Sequence, residues 1–287
     1  MAEQTNIPNF FLVGGQKCAS TWIYRCLKEH PEIFVAATDE IHYFDINFRR
    51  GKSWYNKYFE NYRGQKAAGD TTSSYMRDRC VPRRIFEFNR EAKIIFSLRN
   101  PIERAFSHYW HEKKKGKIGF EFGEVFENYD LYENWIVTGF YCQHLTRFYE
   151  YFKNDQILIL LYDDLKNDAY SFLRRIFGFL EVDTEFVPSV IEKKINAAWH
   201  HPNRRDNKSL YYRFLRLMHR ALRQRAFRRL SENYRRVRNM PIDYNQRSSE
   251  YYDIGIATDV REQLRAIYFF ENEELSKVTG LDLSRWG

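Results

Sequence analysis

The chain contains few residues of the kinds that build disulfide frameworks, metal sites or membrane spans. Its four cysteines, Cys18, Cys26, Cys80 and Cys142, show no C-x-x-C or similar metal-ligand spacing. No apolar run approaches the length of a membrane span, and the N-terminus lacks a basic stretch followed by an apolar one. We therefore expect reduced thiols, no transmembrane segment and a cytoplasmic protein.

Proline and glycine are sparse as well, with 7 and 13 residues in the chain, and the sequence contains no internal repeat. By contrast, hydrophobic residues make up 44% of the chain and aromatic residues 18%. A disordered chain has far fewer aromatic residues, and 287 residues can bury a full core. The composition therefore predicts a globular protein.

Short apolar runs alternate with stretches of helical periodicity. Three of these runs are predicted to be buried strands, because they lack the polar alternation of a strand with one solvated face. They are Phe10–Val13, Lys93–Leu98 and Gln156–Tyr162. The predicted helices are Thr21–His30, Arg83–Asn89, Ile102–Lys115, Asn134–Lys153 and Ala169–Leu180. This order predicts the α/β class, with a single P-loop-like domain whose central parallel sheet is flanked by helices.

The first predicted strand ends in Gly14-Gly15-Gln16-Lys17, and a helix begins at about Ser20. Backbone N–H groups of residues 15–20 in such a turn would point at a phosphate, and the helix start would favour its negative charge. Ser20 and Thr21 can cap the helix or donate hydroxyl bonds, and Lys17 adds a positive charge. Because the Walker A spelling G-x-x-x-x-G-K-[ST] is absent, the alternative is an ordinary turn with a surface lysine.

A second candidate anion site follows the strand Lys93–Leu98. Arg99 stands at its carboxyl end, where open parallel sheets bind ligands, and Pro101 suits the first turn of the next helix. The guanidinium of Arg99 and the hydroxyl of Ser107 can bind one phosphate together. Alternatively, Glu103 and Arg104 are ordinary charges on a solvated helix. Two such sites predict a ligand with two separated phosphates.

The stretch ATDEIHYFD, residues 37–45, places a carboxylate near an imidazole. If it is extended, the side chains of Glu40, His42 and Phe44 share one face, because strand side chains alternate. A carboxylate and an imidazole on one face can act as a base and its orienting partner. Taken alone, Glu40 is more often a surface acid.

Two motifs resemble the nucleotide signatures of sulfotransferases that use 3′-phosphoadenosine 5′-phosphosulfate (PAPS). They are K-C-A-S-T-W after the first strand and R-N-P-x-x-R-x-x-S-H-Y after the later one. The resemblance implies that the first motif holds the 5′-phosphosulfate and the second the 3′-phosphate. It also implies PAPS as donor, adenosine 3′,5′-bisphosphate (PAP) as product and no required metal. The cofactor-binding residues implied are Gly15, Lys17, Cys18, Ala19, Ser20, Thr21, Trp22, Arg99, Ser107 and, by a loose match, Arg204.

Residues 37–45 resemble the E-x-H-F-F-D segment of the heparan and glucosaminyl branch of that family. The resemblance implies that Glu40 is the general base for an acceptor hydroxyl, with the catalytic His42 and Asp45 as its supports. It also implies that Lys17 is the cation that stabilises the leaving group. Residues 67–76 resemble the family's G-E-K-T-P-x-Y segment, with Asp70 in place of the glutamate. Thr71 stands where some members carry a lysine for an acidic acceptor, so the acceptor is left as a small-molecule or carrier-bound hydroxyl.

Residues 204–238 are strongly basic, with thirteen Lys/Arg against Asp206 and Glu232. They predict a helical insert at about 204–240 in a sulfotransferase domain that spans 1–287. The insert either packs on the domain as a solvated helix or docks an acidic partner. Two other functions stay open, a P-loop nucleotide kinase and a non-catalytic polyanion-binding protein; we expect no nucleic-acid partner.

Overall fold

A computed structural model of the protein describes residues 7–115, 118–192 and 255–286. The basic segment 204–238, the predicted insert at about 204–240 and Arg204 lie outside the described residues. The predictions made for them therefore stay predictions.

The sheet has five parallel strands in the order β2-β3-β1-β4-β5. The strands are β1 (Phe10–Gly14), β2 (Ile33–Val35), β3 (Ala67–Asp70), β4 (Lys93–Leu98) and β5 (Ile157–Leu161). The predicted parallel sheet and its three long strands are confirmed. The sequence pattern missed β2 and β3, because β2 has three residues and β3 is the run AAGD, which has low strand propensity.

Helices connect the strands and cover the sheet. They are α1 (Ser20–Glu29), α2 (Lys52–Asn56), α3 (Val81–Phe88), α4 (Pro101–Lys114), α5 (Tyr129–Leu131), α6 (Tyr141–Tyr149), α7 (Tyr162–Asn167), α8 (Ala169–Phe179) and α9 (Thr258–Thr279). The side chain of Asn100 caps α4 by accepting from the amides of Ile102 and Glu103. Pro101 is the first residue of that helix, as predicted. No helix within the described ranges is long and apolar enough to cross a membrane.

The core lies on both faces of the sheet, as the apolar strand runs predict. Alternate residues of β1 point to opposite faces, so Phe11 and Val13 join one cluster and Phe10 and Leu12 the other. The first cluster packs against α3 and α6, and the second packs against α1 and α8. The sheet is therefore a rigid central layer from which the connecting loops emerge.

The predicted helix Asn134–Lys153 is wrong over its first half. Residues Tyr132–Ile136 form a π-helical turn, Val137–Gly139 a 3₁₀ turn, and the α-helix covers only Tyr141–Tyr149. A side chain at Gly139 would meet the ring of Tyr268 and the ring of Pro101. This close packing, which no local pattern reveals, shapes the turn before α6.

Candidate active site

The loops that carry the predicted site residues all leave the carboxyl edge of the sheet. Lys17 follows β1, Glu40 follows β2, Asp70 ends β3 and Arg99 follows β4. Neighbouring strands lie about 4.8 Å apart, so four consecutive strands bring these loops to one edge. Open parallel sheets bind their ligands at this edge.

The turn between β1 and α1 has an unusual backbone. Lys17 and Ala19 both adopt left-handed conformations, with φ of 66° and 69°. Left-handed residues other than glycine are uncommon. Where left-handed and right-handed residues alternate along the backbone, successive N–H groups point toward one position and can bind an anion there. Ala19 is the N-cap of α1 and makes no side-chain capping bond, so neither Ser20 nor Thr21 caps this helix.

Two amides of the turn are bonded within the protein, contrary to the prediction that the amides of residues 15–20 face a phosphate. Gly15 N–H donates to the carbonyl of Ser97 at 2.5 Å, and Cys18 N–H donates to the carbonyl of Gly15 at 3.2 Å. The prediction is wrong for these two residues. The first-turn amides of α1, at Ser20, Thr21 and Trp22, precede the helical hydrogen-bond ladder and are the donors that an anion could use.

Lys17 is a partly desolvated cation beside other cations. Burial, followed by the positive charges of Lys115 and Arg99, lowers the pKa of Lys17 to about 8, while the negative charge of Glu112 acts in the opposite direction. Its charge is therefore poorly compensated in the protein alone. An anion at this turn would restore the balance.

Cys18 is a buried structural thiol. It is fully buried, its Sγ lies 3.9 Å from the hydroxyl of Tyr141, and burial raises its pKa. Its carbonyl accepts from Ser97 Oγ at 2.6 Å. The residue is thus a small side chain that ties the turn to β4 and is not activated as a nucleophile.

Trp22 follows the turn on α1. Its ring packs on Phe172 at 6.3 Å between centroids, and its buried indole N–H has no hydrogen-bond partner among the described residues. An unpaired buried donor beside first-turn amides fits a ligand with acceptor atoms. Thr21 is exposed and Ser20 half-buried, so both hydroxyls are accessible from solvent.

The second predicted anion site is divided between a loop and α4. The guanidinium of Arg99 lies over the ring of Tyr162 at 4.9 Å, and Ser107 is half-buried on α4. Arg99 and Ser107 are not hydrogen-bonded to each other in the part of the chain that the structure describes. Arg104 is not the surface charge that the alternative reading assumed, because it is fully buried and donates from Nη2 to the carbonyl of Trp135.

Residues 37–45 are not extended, so the predicted strand-like face is wrong. Glu40 and His42 both adopt left-handed conformations, with φ of 66° and 57°. Their side chains nevertheless meet, with His42 Nε2 3.5 Å from Glu40 Oε2. Four of the five non-glycine residues with positive φ in the described ranges lie in the two candidate loops, at Lys17, Ala19, Glu40 and His42. Backbone strain of this kind clusters at functional sites.

The Glu40 carboxylate is held by the residues that follow β3. Glu40 N–H donates to the carbonyl of Thr71 at 3.1 Å, and Glu40 Oε1 accepts from the backbone N–H of Ser73 at 3.2 Å and from its hydroxyl. Burial raises the pKa of Glu40, while the two bonds from Ser73 act in the opposite direction. A carboxylate with a raised pKa is a stronger base than a surface acid.

His42 is oriented by a second carboxylate. Its Nδ1 lies 3.0 Å from Asp45 Oδ2, and Ser74 Oγ donates to the same oxygen at 2.7 Å. Burial opposes the charged imidazole, but Asp45 and Glu40 outweigh it and raise the pKa of His42. The three side chains Asp45, His42 and Glu40 therefore form a connected line that ends at the candidate base.

Comparison with known proteins identifies the family. The sulfotransferase domain family matches residues 8–248. The chain belongs to this family.

Curated relatives share part of this sulfotransferase domain. Membrane-associated sulfotransferase kil1 of Dictyostelium discoideum is 36% identical over 106 residues, which cover 36% of this chain and 22% of that protein. Human bifunctional heparan sulfate N-deacetylase/N-sulfotransferase 2 is 28% identical, covering 61% of this chain and 22% of that protein. Mouse heparan sulfate glucosamine 3-O-sulfotransferase 5 is 27% identical, covering 61% and 54%. The matches thus span between 22% and 54% of these relatives.

A crystal structure of a sulfotransferase from Alicyclobacillus acidocaldarius has the same fold. It superimposes with a TM-score of 0.70 at 22% identity and covers 97% of this chain and 98% of its own. The predicted P-loop-like α/β fold is confirmed.

The motifs of the sulfotransferase domain did not reveal every residue at the site. Ser73 and Ser74 bond Glu40 and Asp45 directly, but the family's segment has proline at the position of Ser73 and gives no reason to expect a donor there. Met76 packs against Gly14, where a Cβ would lie 2.7 Å from Met76 Cβ. The pairing of β1 with β3 places Met76 against Gly14, and the pairing of β2 with β3 places Ser73 and Ser74 beside Glu40 and Asp45.

We expect Ser73→Ala to move the acid limb of the pH–activity profile to higher pH. The substitution removes the hydroxyl that donates to the Glu40 carboxylate. Because that bond lowers the pKa of Glu40 while burial raises it, the pKa rises when the bond is lost. Because a base acts in its deprotonated form, activity is then lost at a higher pH as the solution is acidified. The measurement is kcat/KM from pH 5 to 8, with Ser74→Ala, which removes a donor to Asp45, as the matched control. An unchanged limb in Ser73→Ala contradicts the assignment of that limb to Glu40.

Proposed function

We propose that this chain is a PAPS-dependent sulfotransferase that transfers a sulfuryl group to an acceptor hydroxyl. One observation carries this proposal. The Glu40–His42–Asp45 line is hydrogen-bonded to the residues after β3, and β3 pairs directly with β1, whose end carries the Lys17 turn. The candidate base after β2 and the candidate anion-binding turn after β1 thus leave the same edge of the sheet, and β3, whose following residues hold the base, lies between them.

The residues of the β1–α1 turn suit the phosphosulfate end of the donor. The first-turn amides, the unpaired indole N–H of Trp22 and the ammonium of Lys17 are all donors with unused capacity. Arg99, held over Tyr162, and Ser107 on α4 are proposed to bind the 3′-phosphate. Burial and the neighbouring positive charges of Lys115 and Arg99 disfavour the Lys17 ammonium in the protein alone, so an anion beside it would be stabilising.

In the proposed reaction PAPS supplies the sulfuryl group when it is bound. Glu40 takes the proton of the acceptor hydroxyl as the new oxygen–sulfur bond forms. The bond between sulfur and the bridging phosphate oxygen breaks, and Lys17 balances the negative charge that grows on that oxygen as PAP leaves. His42, oriented by Asp45, supports the Glu40 carboxylate at 3.5 Å.

The acceptor is proposed to be a small-molecule or carrier-bound hydroxyl. The names of the relatives refer to heparan sulfate and its glucosamine, but the chain matches only part of those proteins. The residue at the position of the acceptor-associated lysine is Thr71, which is buried and whose carbonyl accepts from Glu40 N–H. This position therefore carries no cation for an acidic acceptor.

The alternative of a nucleotide kinase is weaker in this structure. A kinase needs a metal-binding carboxylate at the end of a strand, and the nearest candidates in this chain are Asp163 and Asp164. They follow β5, which β4 separates from β1. Asp163 accepts from the indole N–H of Trp286 at 3.1 Å and pairs with Lys166, while Asp164 pairs with Arg175 at 3.0 Å. Both carboxylates already have structural partners away from Lys17.

Thermal unfolding in the presence of nucleotides tests the proposal. We expect PAP to stabilise the protein without added metal, by roughly 2.7 kcal/mol at about 100 times its Kd, and to do so better than ADP, ATP or ATP–Mg²⁺. Arg99→Ala should remove most of this stabilisation, because it deletes the proposed ligand of the 3′-phosphate. Arg174→Ala, which removes a surface arginine paired with Glu185 on the outside of α8, is the matched control and should retain it.

Two outcomes would count against the assignment. A preference for ATP–Mg²⁺ over PAP would favour the kinase, and equal losses in Arg99→Ala and Arg174→Ala would show that general charge attracts the nucleotide. Transfer of labelled sulfate from PAPS to a panel of hydroxyl acceptors then establishes the activity itself.

A further inference from the structure

The loop that carries Glu40 and His42 is held in place by hydrogen bonds to two side-chain hydroxyl groups. Four successive backbone amides, those of residues 41–44, donate to Thr72 and Tyr75. The N···O distances are 3.1 Å from Ile41 and 3.4 Å from His42 to Thr72 Oγ1, and 2.9 Å from Tyr43 and 3.2 Å from Phe44 to Tyr75 Oη. Thr72 and Tyr75 lie about thirty residues further along the chain, in the segment after β3.

Both hydroxyls donate their protons to one carboxylate, that of Asp70. Thr72 Oγ1 lies 2.6 Å from Asp70 Oδ1, and Tyr75 Oη lies 2.9 Å from Asp70 Oδ2. Tyr55 also donates to Oδ2, at 2.8 Å, but accepts from none of the four amides. A hydroxyl has one proton, so a carboxylate that accepts it leaves the oxygen lone pairs directed at the amides. Asp70 thereby sets the direction of every hydrogen bond in the cluster.

The cluster is buried and its bonds are satisfied. Asp70, Tyr75, Tyr55 and Thr72 are each at most 3% exposed. A buried carboxylate is costly unless it is hydrogen-bonded, and Asp70 accepts three bonds from side chains. Burial raises the pKa of Asp70 to about 6 against these bonds, so the group is mostly ionised at neutral pH. An asparagine there would offer an amide N–H₂ and could not accept from all three hydroxyls.

We propose that Asp70 is a positioning residue that acts through Thr72 and Tyr75 to hold Glu40 and His42 in their left-handed conformations. Such conformations are uncommon for residues other than glycine and persist only where surrounding contacts enforce them. The four amides bonded to Thr72 and Tyr75 belong to residues 41–44, which follow Glu40 directly and include His42. The inference rests on the proposed role of Glu40 as base. It assigns a structural role toward that base to Asp70, the acidic residue that ends β3.

The test compares Tyr75→Phe with Tyr55→Phe. Each substitution removes one phenol that donates to Asp70 Oδ2 and keeps the buried ring, so the two should lose similar thermal stability. Only Tyr75 also accepts from the amides of Tyr43 and Phe44. We therefore expect kcat for sulfuryl transfer to fall by ~10–100-fold in Tyr75→Phe and to stay near wild type in Tyr55→Phe, with the affinity for PAP unchanged in both. Equal effects of the two substitutions on kcat would overturn the proposal.

Hydrogen exchange supplies a readout that does not depend on activity. In Tyr75→Phe the amides of residues 43 and 44 should exchange faster than in Tyr55→Phe, and in Thr72→Val the amides of residues 41 and 42 should do so. Thr72→Ser keeps the hydroxyl and should restore both exchange protection and kcat. Unchanged protection in Tyr75→Phe and Thr72→Val refutes the positioning role. If wild type transfers no sulfuryl group while these exchange differences are present, the proposed function fails and the positioning of the loop stands.

Discussion

Glu40→Gln is expected to lower kcat by ~10²–10⁴-fold while leaving the affinity for PAP close to that of wild type. Glutamine has nearly the shape of glutamate, and its amide oxygen can still accept the bonds from Ser73 that hold Glu40 Oε1. It cannot take a proton from an acceptor hydroxyl. The substitution therefore removes the proposed chemistry and retains the geometry of the loop.

The measurements are steady-state sulfuryl transfer and PAP binding on the same preparations. Asp39→Asn is the matched control, because it neutralises the adjacent carboxylate without touching the Ser73 or His42 contacts. Its kcat should stay close to wild type. A Glu40→Gln enzyme that keeps full kcat, or one that loses PAP binding together with activity, contradicts the assignment of Glu40 as a base that acts on the acceptor alone.

Lys17→Met should lower kcat by ~10²–10³-fold, the loss usually seen when one preorganised group that stabilises transition-state charge is removed. Methionine keeps much of the length of the lysine stem and removes the ammonium. Affinity for PAP should weaken as well, because the same charge faces the ground-state phosphate. Lys17→Arg restores a positive charge in a different shape and should recover part of the affinity and less of kcat.

The pH dependence of Lys17 provides an independent check on the same residue. Its pKa is lowered to about 8 by burial and by Lys115, so the free enzyme loses this positive charge as the pH rises through about 8. We expect kcat/KM for PAPS to fall above that pH in wild type and to show no such fall in Lys17→Arg, since arginine stays charged. At saturating PAPS the alkaline fall in rate should move to higher pH, because a bound anion stabilises the charged ammonium of Lys17. A wild-type profile that is flat to pH 9.5 contradicts the role of the charge.

Local patterns were enough to predict the two turns at the sheet edge. A predicted strand followed by Gly14-Gly15-Gln16-Lys17 and then by a helical stretch indicates a β–turn–α unit. The strand that precedes Arg99 and Pro101 indicates a second such unit. The heparan-type motif likewise indicated Glu40 and His42 as neighbours. The residue pattern had placed them on one face of an extended strand, and this backbone is wrong, because both residues are left-handed in a loop.

The residues that hold Glu40 in place could not be predicted in this way. Ser73, Thr72 and Tyr75 reach the loop of Glu40 only because β2 and β3 lie side by side. Those strands have three and four residues, too few to show a period, and β3 contains Gly69 where the ring of Phe10 leaves no room for a side chain. Their pairing is a property of the whole sheet.

The sequence by itself thus determined the α/β class and the position of the candidate anion-binding turn, because each depends on residues adjacent along the chain. The resemblance to sulfotransferases named the candidate base. The tertiary structure alone decided that Gly15 and Cys18 use their amides internally, that Arg104 is buried, and that Asp70 accepts the hydroxyl protons of Thr72 and Tyr75. The physical reason is common to all three. Burial and hydrogen-bond direction depend on which distant groups the strand order brings into contact, and the strand order β2-β3-β1-β4-β5 is set by packing across the entire domain.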